Sequence, residues 1–195
     1  LIAVHMTHLT GSEIKLIQQY GSSIAHCPSS NMKLASGFAP VTAFLNHGIN
    51  IGLGTDGAAS NNRLDIFEEM RLAALLAKAK SGQADALPAH QVLRMATLNA
   101  LGLGNKTGSL TVGKAADITA IDFSDINLTP CYDPLSHVVY TAGREHVSHV
   151  WVNGRMLLEN KKLTMLNQSD LHYRTAFWHE RIAASSRQQE YIWTT

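Results

Sequence analysis

Cysteine, charge and long apolar runs are all scarce in this sequence of 195 residues. The two cysteines, Cys27 and Cys131, lie too far apart for a zinc-finger or redox motif, so they predict reduced and partly buried thiols. Charged residues make up 16% of the chain and the net charge is +1, which argues against nucleic acid or an anionic membrane as a partner. No apolar run approaches the ~20 residues that cross a bilayer, and the start at Leu1 carries no signal-peptide pattern. These absences predict a cytoplasmic, enzyme-like chain.

The sequence does contain a repeated unit of strand and helix. Thr10 and Glu13 have the spacing of a capping box, which predicts a helix, and Pro40 predicts the first turn of another. Three short apolar runs alternate with these helices, and each stops at a side chain that can bind metal: residues 1–4 before His5, 22–25 before His26 and 51–55 before Asp56. The order strand, helix, strand, helix, strand predicts a parallel sheet.

The three strand ends form the candidate site. In parallel α/β proteins the carboxyl ends of the strands meet at one edge of the sheet, and chemistry takes place there. Taken singly, each residue also has a simpler interpretation. Asp56 could cap the helix that follows it, and His5 and His26 could be ordinary hydrogen-bonded or solvent-facing side chains. Three consecutive strands that end in this way favour a shared site.

Two further helices are predicted after the third strand. Residues 61–80 repeat apolar side chains at helical spacing, and we interpret Phe67 and Met70 among them as packing against the sheet. Leu87 and Pro88 predict the start of the next helix. Both helices extend the pattern of the first part of the chain.

The character of the sequence changes after about residue 107. A turn-rich stretch comes first, and three strands are predicted after it, at residues 116–122, 137–140 and 147–152. Asn153 and Gly154 then predict a two-residue hairpin turn into a fourth strand at residues 155–158. This pattern predicts a small β region of the sandwich or partial-barrel type.

The chain is predicted to finish in a helix. Ser169 is its predicted N-cap, and the helix is expected to run to about Ala184. Leu171, Trp178 and Ile182 would share one face of this helix. No low-complexity segment or long linker separates it from the β region.

Four stretches of the sequence carry a family resemblance. Residues 26–34 read HCPSSNMKL, residues 53–62 read LGTDGAASNN with FEEMR at 67–71, residues 108–117 read GSLTVGKAAD, and residues 150–154 read VWVNG. These motifs resemble the amidohydrolase superfamily, and within it the 5'-methylthioadenosine/S-adenosylhomocysteine deaminases and their triazine-hydrolase relatives. The resemblance covers about residues 1–165, and its motifs are more specific to the superfamily than to one substrate.

The resemblance implies a fold in three parts. It implies that residues 1–107 are the last three βα units of a (β/α)8 TIM-type barrel. Residues 108–165 would be part of a small β-sandwich domain, and residues 166–195 a C-terminal helical tail. It also implies that the helix at residues 97–103 is about three residues shorter than is usual there, close to one helical turn.

The same resemblance implies a role for each candidate site residue. Asp56 would bind one divalent metal, zinc or iron, contact the substrate, and carry a proton from the metal-bound water to the departing amine. His5 would orient the attacking hydroxide and stabilise the tetrahedral intermediate. His26 would lie near the site and contact the substrate.

Important parts of the family pattern are absent from residues 1–195. A His-x-His pair after a first strand, a histidine after a fifth strand and a nearby glutamate have no counterpart in the sequence. Three βα units cannot close an eight-stranded barrel. We therefore expect this chain to supply the C-terminal half of a site whose activity requires the missing N-terminal half.

The functional prediction is a metal-dependent deaminase of adenine nucleosides with a 5'-thioether, which releases ammonia. One alternative is a chlorohydrolase or a guanine- or cytosine-type aminohydrolase of the same superfamily. A second alternative is a non-catalytic fragment. The resemblance also implies a small-molecule nucleoside substrate and allows a homo-oligomer.

Overall fold

The computed structural model describes residues 1–99 and 106–190. Within them lie a parallel sheet of three strands and an antiparallel sheet of four strands, and in each sheet the strands lie side by side in chain order. The chain therefore has an α/β fold. None of the described helices is both long and apolar enough to cross a membrane.

The first part of the chain builds the parallel sheet and its helices. Its elements are β1 (Ile2–Val4), α1 (Gly11–Gln19), β2 (Ser23–His26), α2 (Pro28–Lys33), α3 (Val41–Asn46), β3 (Ile51–Leu53), α4 (Ala58–Asn61), α5 (Ile66–Ser81) and α6 (Ala89–Ala96). The three predicted strands are confirmed, and both neighbouring pairs are parallel. The predicted capping box at the start of α1 is also confirmed, because the Glu13 amide donates to the Thr10 hydroxyl and the Glu13 carboxylate accepts from the Thr10 amide.

Helices pack on the parallel sheet through aliphatic and aromatic side chains. Ile24 of β2, Ile51 of β3 and Phe44 of α3 are fully buried, and they belong to one core with Met70 of α5. Phe67 is buried in the same core, so the predicted packing of Phe67 and Met70 is confirmed. Burial on this scale is the main force that holds such a layer together.

The long helix predicted over residues 61–80 is confirmed as α5, but it begins at Ile66 and not at Asn61. Helix α4 ends at Asn61, and Asn62 and Leu64 then take positive φ angles of 72° and 50°, which a helix cannot contain. Asp65 starts the second helix, α5, with its carboxylate accepting from the Phe67 amide at 3.1 Å. The helix predicted to begin at Leu87 and Pro88 is confirmed as α6, with Pro88 as its N-cap.

The second part of the chain builds the antiparallel sheet. Its elements are β4 (Ile118–Ile121), α7 (Pro134–Tyr140), β5 (Val147–Val152), β6 (Arg155–Glu159), β7 (Lys162–Leu163) and α8 (Gln168–Glu190). The hairpin from β5 to β6 confirms the prediction for Asn153 and Gly154, which take the positive φ angles that a tight hairpin turn requires.

The strand predicted at residues 137–140 is wrong, because these residues form the second half of α7. Asp133 caps this helix by accepting from the Leu135 amide at 3.1 Å, and Pro134 occupies its first turn. Arg71 of α5 then donates to the carbonyls of Tyr140 and Ala142 at 3.0 and 2.8 Å. The cap at Asp133, the proline at position 134 and the hydrogen bonds from Arg71 together override the β preference of the two valines in HVVY.

The predicted C-terminal helix is confirmed as α8, but it begins and ends differently. The Asn167 side chain, and not that of Ser169, accepts from the first turn, at 2.9 Å from the Ser169 amide. The helix extends past Ala184, and its apolar residues Leu171 and Trp178 are exposed. Residues 191–195 of the predicted tail and residues 100–103 of the predicted short helix lie outside the described residues.

Candidate active site

The register of the parallel sheet brings the three predicted site residues to one edge. His5 directly follows β1, His26 is the last residue of β2, and Asp56 lies three residues beyond β3. The His5 amide donates to the Ala25 carbonyl at 3.0 Å, and the Gly54 amide donates to the His26 carbonyl at 3.0 Å. Hydrogen bonds between strands therefore continue up to the residues that carry the site.

His5 and Asp56 face each other across this edge. The distance from His5 Nε2 to Asp56 Oδ2 is 3.8 Å, which is too long for a direct hydrogen bond. The two side chains are 38% and 34% exposed, so a ligand can reach both. Both residues also have positive φ angles, 68° for His5 and 60° for Asp56. Such backbone strain costs about 1–3 kcal/mol per residue and is concentrated at functional sites.

The Asp56 carboxylate is held by two hydroxyl groups. Ser30 of α2 donates to Asp56 Oδ2 at 2.7 Å, and Ser60 of α4 donates to the same oxygen at 2.8 Å. The bonds from Ser30 and Ser60, followed by one from the Gly57 amide, lower the pKa of Asp56 to about 2. Asp56 is therefore ionised at neutral pH. The N-cap of α4 is Gly57, so the simpler interpretation of Asp56 as a helix cap is not supported.

His26 is placed differently from the other two predicted residues. It is only 4% exposed, and it lines a small cavity with Asn31, Lys80 and apolar side chains. Burial, with a smaller contribution from the nearby His5, lowers the pKa of His26 to about 4. His26 is therefore neutral at pH 7. Direct contact between His26 and a substrate stays a prediction.

Sequence reasoning missed the residues that surround the pair. Ser30, Ser60 and Asn31 contact Asp56 or His5, and Asn31 is 1% exposed with Oδ1 2.8 Å from His5 Nδ1. Ser30 and Asn31 lie within the HCPSSNMKL motif and Ser60 within LGTDGAASNN. The motifs were the available signal, but the contacts from α2 connect residues 26 positions apart and depend on the folded chain.

A buried carboxylate connects the two loops of the site through hydrogen bonds. Glu69 of α5 is fully buried, with one oxygen accepting from the Ser29 amide at 3.0 Å and the other from Asn61 Nδ2 at 2.6 Å. Asn61 also donates to the Thr55 carbonyl at 2.8 Å. Glu69 thereby connects the start of α2 to the turn that carries Asp56. A buried charge is tolerated only with such hydrogen bonds.

The donor set fits one side of a metal site but not a whole one. Asp56 offers a carboxylate, and His5 an imidazole, at the open edge of the sheet. Among the described residues, no group of three or more histidine, cysteine, aspartate or glutamate side chains is arranged to hold a metal ion. A catalytic zinc needs about three protein ligands. Asp56 and His5 can therefore offer part of a ligand set, and the described residues do not complete it.

Comparisons with known proteins agree with the motifs. The model of the amidohydrolase family matches residues 1–157. A 5-methylthioadenosine/S-adenosylhomocysteine deaminase of Teredinibacter turnerae is 45% identical over 184 residues, which is 93% of this chain and 42% of that protein. A 5'-deoxyadenosine deaminase of Methanosarcina acetivorans is 47% identical over 169 residues, which is 86% of this chain and 39% of that protein. The chain spans about two fifths of the length of these curated relatives.

Two solved structures of hydrolytic enzymes are similar to this chain in both fold and sequence. An adenosine deaminase from Xanthomonas campestris with bound zinc has a TM-score of 0.92 and 46% identity, over 94% of this chain and 43% of that one. An atrazine chlorohydrolase from Arthrobacter aurescens, complexed with zinc, has a TM-score of 0.84 and 30% identity, over 90% and 40% of the two chains. Since the family model covers most of the sequence, this chain belongs to the amidohydrolase family.

Proposed function

We propose that this chain supplies the C-terminal half of the active site of a hydrolytic deaminase. The substrate class is adenine nucleosides with a 5'-thioether, and ammonia is the leaving group. The observation that carries the proposal is the ionised Asp56 opposite His5, at the end of parallel strands, in a chain 45% identical to a deaminase of these nucleosides. Both side chains are exposed enough for a substrate to contact them.

The arrangement of the protein is part of the same proposal. Residues 1–107 would be the last three βα units of a TIM-type barrel, residues 108–165 part of a β-sandwich, and residues 166–195 a helical tail. Among the described strands β1 pairs only with β2, and its unpaired edge supports a further strand beside it. Its residues Ile2 and Val4 are 44% and 42% exposed, which supports further packing on the face that they share. The N-terminal half of the barrel would provide that strand. A dimer or tetramer stays a prediction.

The cellular compartment belongs to the proposal as well. Cys27 is buried, Cys131 is partly buried, and both are free thiols. Free thiols are usual in a reducing compartment, so we place the protein in the cytoplasm. Burial, with Asp56 and Glu69 nearby, raises the pKa of Cys27 to about 11, which keeps this thiol protonated and unreactive.

Asp56 and His5 have separate tasks in the proposed reaction. A divalent metal, zinc or iron, would lower the pKa of bound water toward ~7 and so supply hydroxide at neutral pH. Asp56 would be one residue that holds the metal and contacts the substrate, and it would take a proton from the attacking water and pass it to the departing amine. His5 would orient the water through Nε2, which lies 3.8 Å from Asp56, and in its protonated form it would stabilise the charge that develops on the substrate.

A chlorohydrolase is the second candidate function. It is favoured by the TM-score of 0.84 with an atrazine chlorohydrolase, where the reaction would use the same kind of activated water. The identity in that comparison is 30%, against 45% and 47% for the two nucleoside deaminases, so deamination is preferred. A guanine- or cytosine-type aminohydrolase and a non-catalytic fragment are ranked below these two functions.

The test begins with a denaturing intact-mass spectrum of the protein from its natural source. We expect either a longer chain or a second polypeptide that ends where Leu1 begins. That material should contain bound metal and release ammonia from 5'-methylthioadenosine and S-adenosylhomocysteine, and faster than it releases ammonia from guanine or chloride from atrazine.

The 195-residue chain alone is the control. We expect it to bind no stoichiometric zinc and to deaminate none of these substrates. Zinc binding and nucleoside deamination by this chain alone would overturn the claim that the other half is required. A single species of 21.2 kDa in the source, without metal, would favour the non-catalytic fragment.

A further inference from the structure

Asn31 has a contact that none of the assigned roles explains. Its side chain is 1% exposed on α2, and its Oδ1 lies 2.8 Å from His5 Nδ1. An amide oxygen can only accept a hydrogen bond, so a hydrogen bond at this contact requires the tautomer with the proton on His5 Nδ1. In the neutral ring the other nitrogen, Nε2, then holds a lone pair and points toward Asp56.

The other end of the Asn31 amide is buried without a partner. Asn31 Nδ2 and His26 Nδ1 are buried nitrogen atoms with no hydrogen-bond partner among the described residues. Leaving such a group unpaired costs about 1–3 kcal/mol, so two in one place require an explanation. The two atoms are chemically complementary, because the amide nitrogen donates while the neutral imidazole can accept.

Both residues line the same small cavity. The cavity has a volume of about 10 Å³ that water can occupy, which is enough for a single water molecule. Phe38, Val41 and Ala73 form part of its apolar wall. One water could accept from Asn31 Nδ2 and donate to His26 Nδ1, and these are the two polar partners that a buried water requires.

We infer that Asn31 is a positioning residue, which sets the ring orientation and proton position of His5, and that a single buried water shared with His26 holds Asn31 in place. The resulting connection runs from His26 through the water and Asn31 to His5, opposite Asp56. What His5 does in catalysis rests on the proposed function, but its proton position does not. His26 would then have a structural role and would not contact the substrate directly.

Nitrogen-15 NMR of the histidine rings tests the proton position without any turnover. The whole protein is labelled at histidine, and the His5 signals are assigned by their loss in His5→Gln. We expect His5 to carry its proton on Nδ1 in the wild type and in Asn31→Asp, which keeps an acceptor there. In Asn31→Leu, which has a similar size and no acceptor, we expect the proton to move mainly to Nε2.

Asn46→Leu on the exposed part of α3 is the matched control and should leave the His5 signals unchanged. A wild-type His5 with its proton on Nε2 would overturn the inference, and so would an unchanged spectrum in a folded Asn31→Leu. If Asn31→Leu does not fold, the wild type and Asn31→Asp still decide, because both are predicted to have the Nδ1 proton.

Kinetics of the metal-loaded protein provide the second measurement. Removing a group that orients a residue of a metal site costs about 10–100-fold in activity. We expect Asn31→Leu to lose this amount in kcat, with KM and metal content unchanged, and Asn31→Asp to recover most of it. A loss confined to KM or to metal content would contradict a positioning role. A wild type without deaminase activity would overturn the proposed function and leave the NMR result standing.

A high-resolution crystal structure tests the water. We expect one ordered water within about 3.2 Å of both Asn31 Nδ2 and His26 Nδ1. We expect His26→Phe to remove this water, because the phenyl ring offers no acceptor. An empty cavity in the wild type, or a direct contact between the two side chains, would overturn this part of the inference.

Discussion

The two sheets of this chain bury their residues to very different degrees. In the parallel sheet Ile24 and Ile51 are fully buried, and His26 is 4% exposed. In the antiparallel sheet of β4 to β7, none of the described strand residues is buried. Helices α3 and α5 pack on the first sheet, whereas α8, which follows the second, is exposed along most of its described length.

This difference shows what the candidate site requires. Around the parallel sheet, Ser30, Asn31 and Glu69 are buried polar residues with hydrogen bonds to other side chains or to the backbone. A polar side chain keeps one geometry only where packing excludes water and other rotamers. The parallel layer provides that packing, and the partly exposed antiparallel sheet does not. The following predictions test this contrast, in order of decreasing effect.

The largest effect is expected at the site itself. In the active protein, Asp56→Asn should lower kcat by about 10³-fold, because it removes the carboxylate that we propose transfers the proton. Asp117→Asn is the matched change beside the antiparallel sheet, where Asp117 accepts from the Asn153 amide at 2.7 Å. It should leave kcat unchanged. Equal losses in a steady-state assay of ammonia release would remove the functional contrast between the two regions.

The next effect is on packing. Phe44→Ala removes a fully buried ring of α3 and should lower the free energy of unfolding by about 3–5 kcal/mol in urea titrations. Phe123→Ala, at a partly buried ring just after β4, should cost clearly less. Similar losses would mean that the two regions contribute equally to stability.

The pH dependence of stability should depend on His26. Its pKa is about 4 in the folded protein and near 6.5 in the unfolded chain. As the pH falls, the unfolded chain therefore takes up a proton at His26 at a higher pH than the folded protein does. The contribution of His26 is therefore complete above pH 6.5 and is lost as the pH falls toward 4, by about 3 kcal/mol in total. Urea titrations at several pH values should show this loss in the wild type and a flatter profile in His26→Phe. Equal slopes would contradict the prediction.

The smallest effect is expected from a single buried oxygen. Glu69→Gln replaces one acceptor by a donor that faces the Ser29 or Asn61 donor, at a cost of about 1–3 kcal/mol. Glu159→Gln at the exposed end of β6 should change stability by less than about 0.5 kcal/mol. Thermal unfolding of both variants would measure the difference. An unchanged stability of Glu69→Gln would argue against a stabilising role for the hydrogen bonds of Glu69.

Much of the parallel region could be predicted because its signals are local. The capping box of Thr10 and Glu13, and the apolar runs before His5, His26 and Asp56, require only neighbouring residues. The errors came from signals for helix starts that were given too little weight. Asn62 and Leu64 delay the start of the predicted long helix to Ile66, and Asp133 and Pro134 start a helix where β-branched residues suggested a strand.

The partners of the site residues could not be predicted in the same way. Asn31 reaches His5, and Ser30 reaches Asp56, over 26 positions in the sequence. No periodicity or cap describes such a contact, since it depends on how α2 lies over the strand ends. The burial of His26 was missed for the same reason, because its cavity is closed by α5 and by residues near Phe38.

The positive φ angles of His5 and Asp56 lower the stability of the fold at two residues whose side chains the proposed reaction needs. Glycine is the residue best suited to this backbone, so glycine at either position would relieve strain of about 1 kcal/mol or more. It would also delete the imidazole or the carboxylate. Under the proposed function, selection for activity would therefore preserve two locally unfavourable residues. In a duplicated copy without that activity, glycine at position 5 or 56 would be a stabilising substitution.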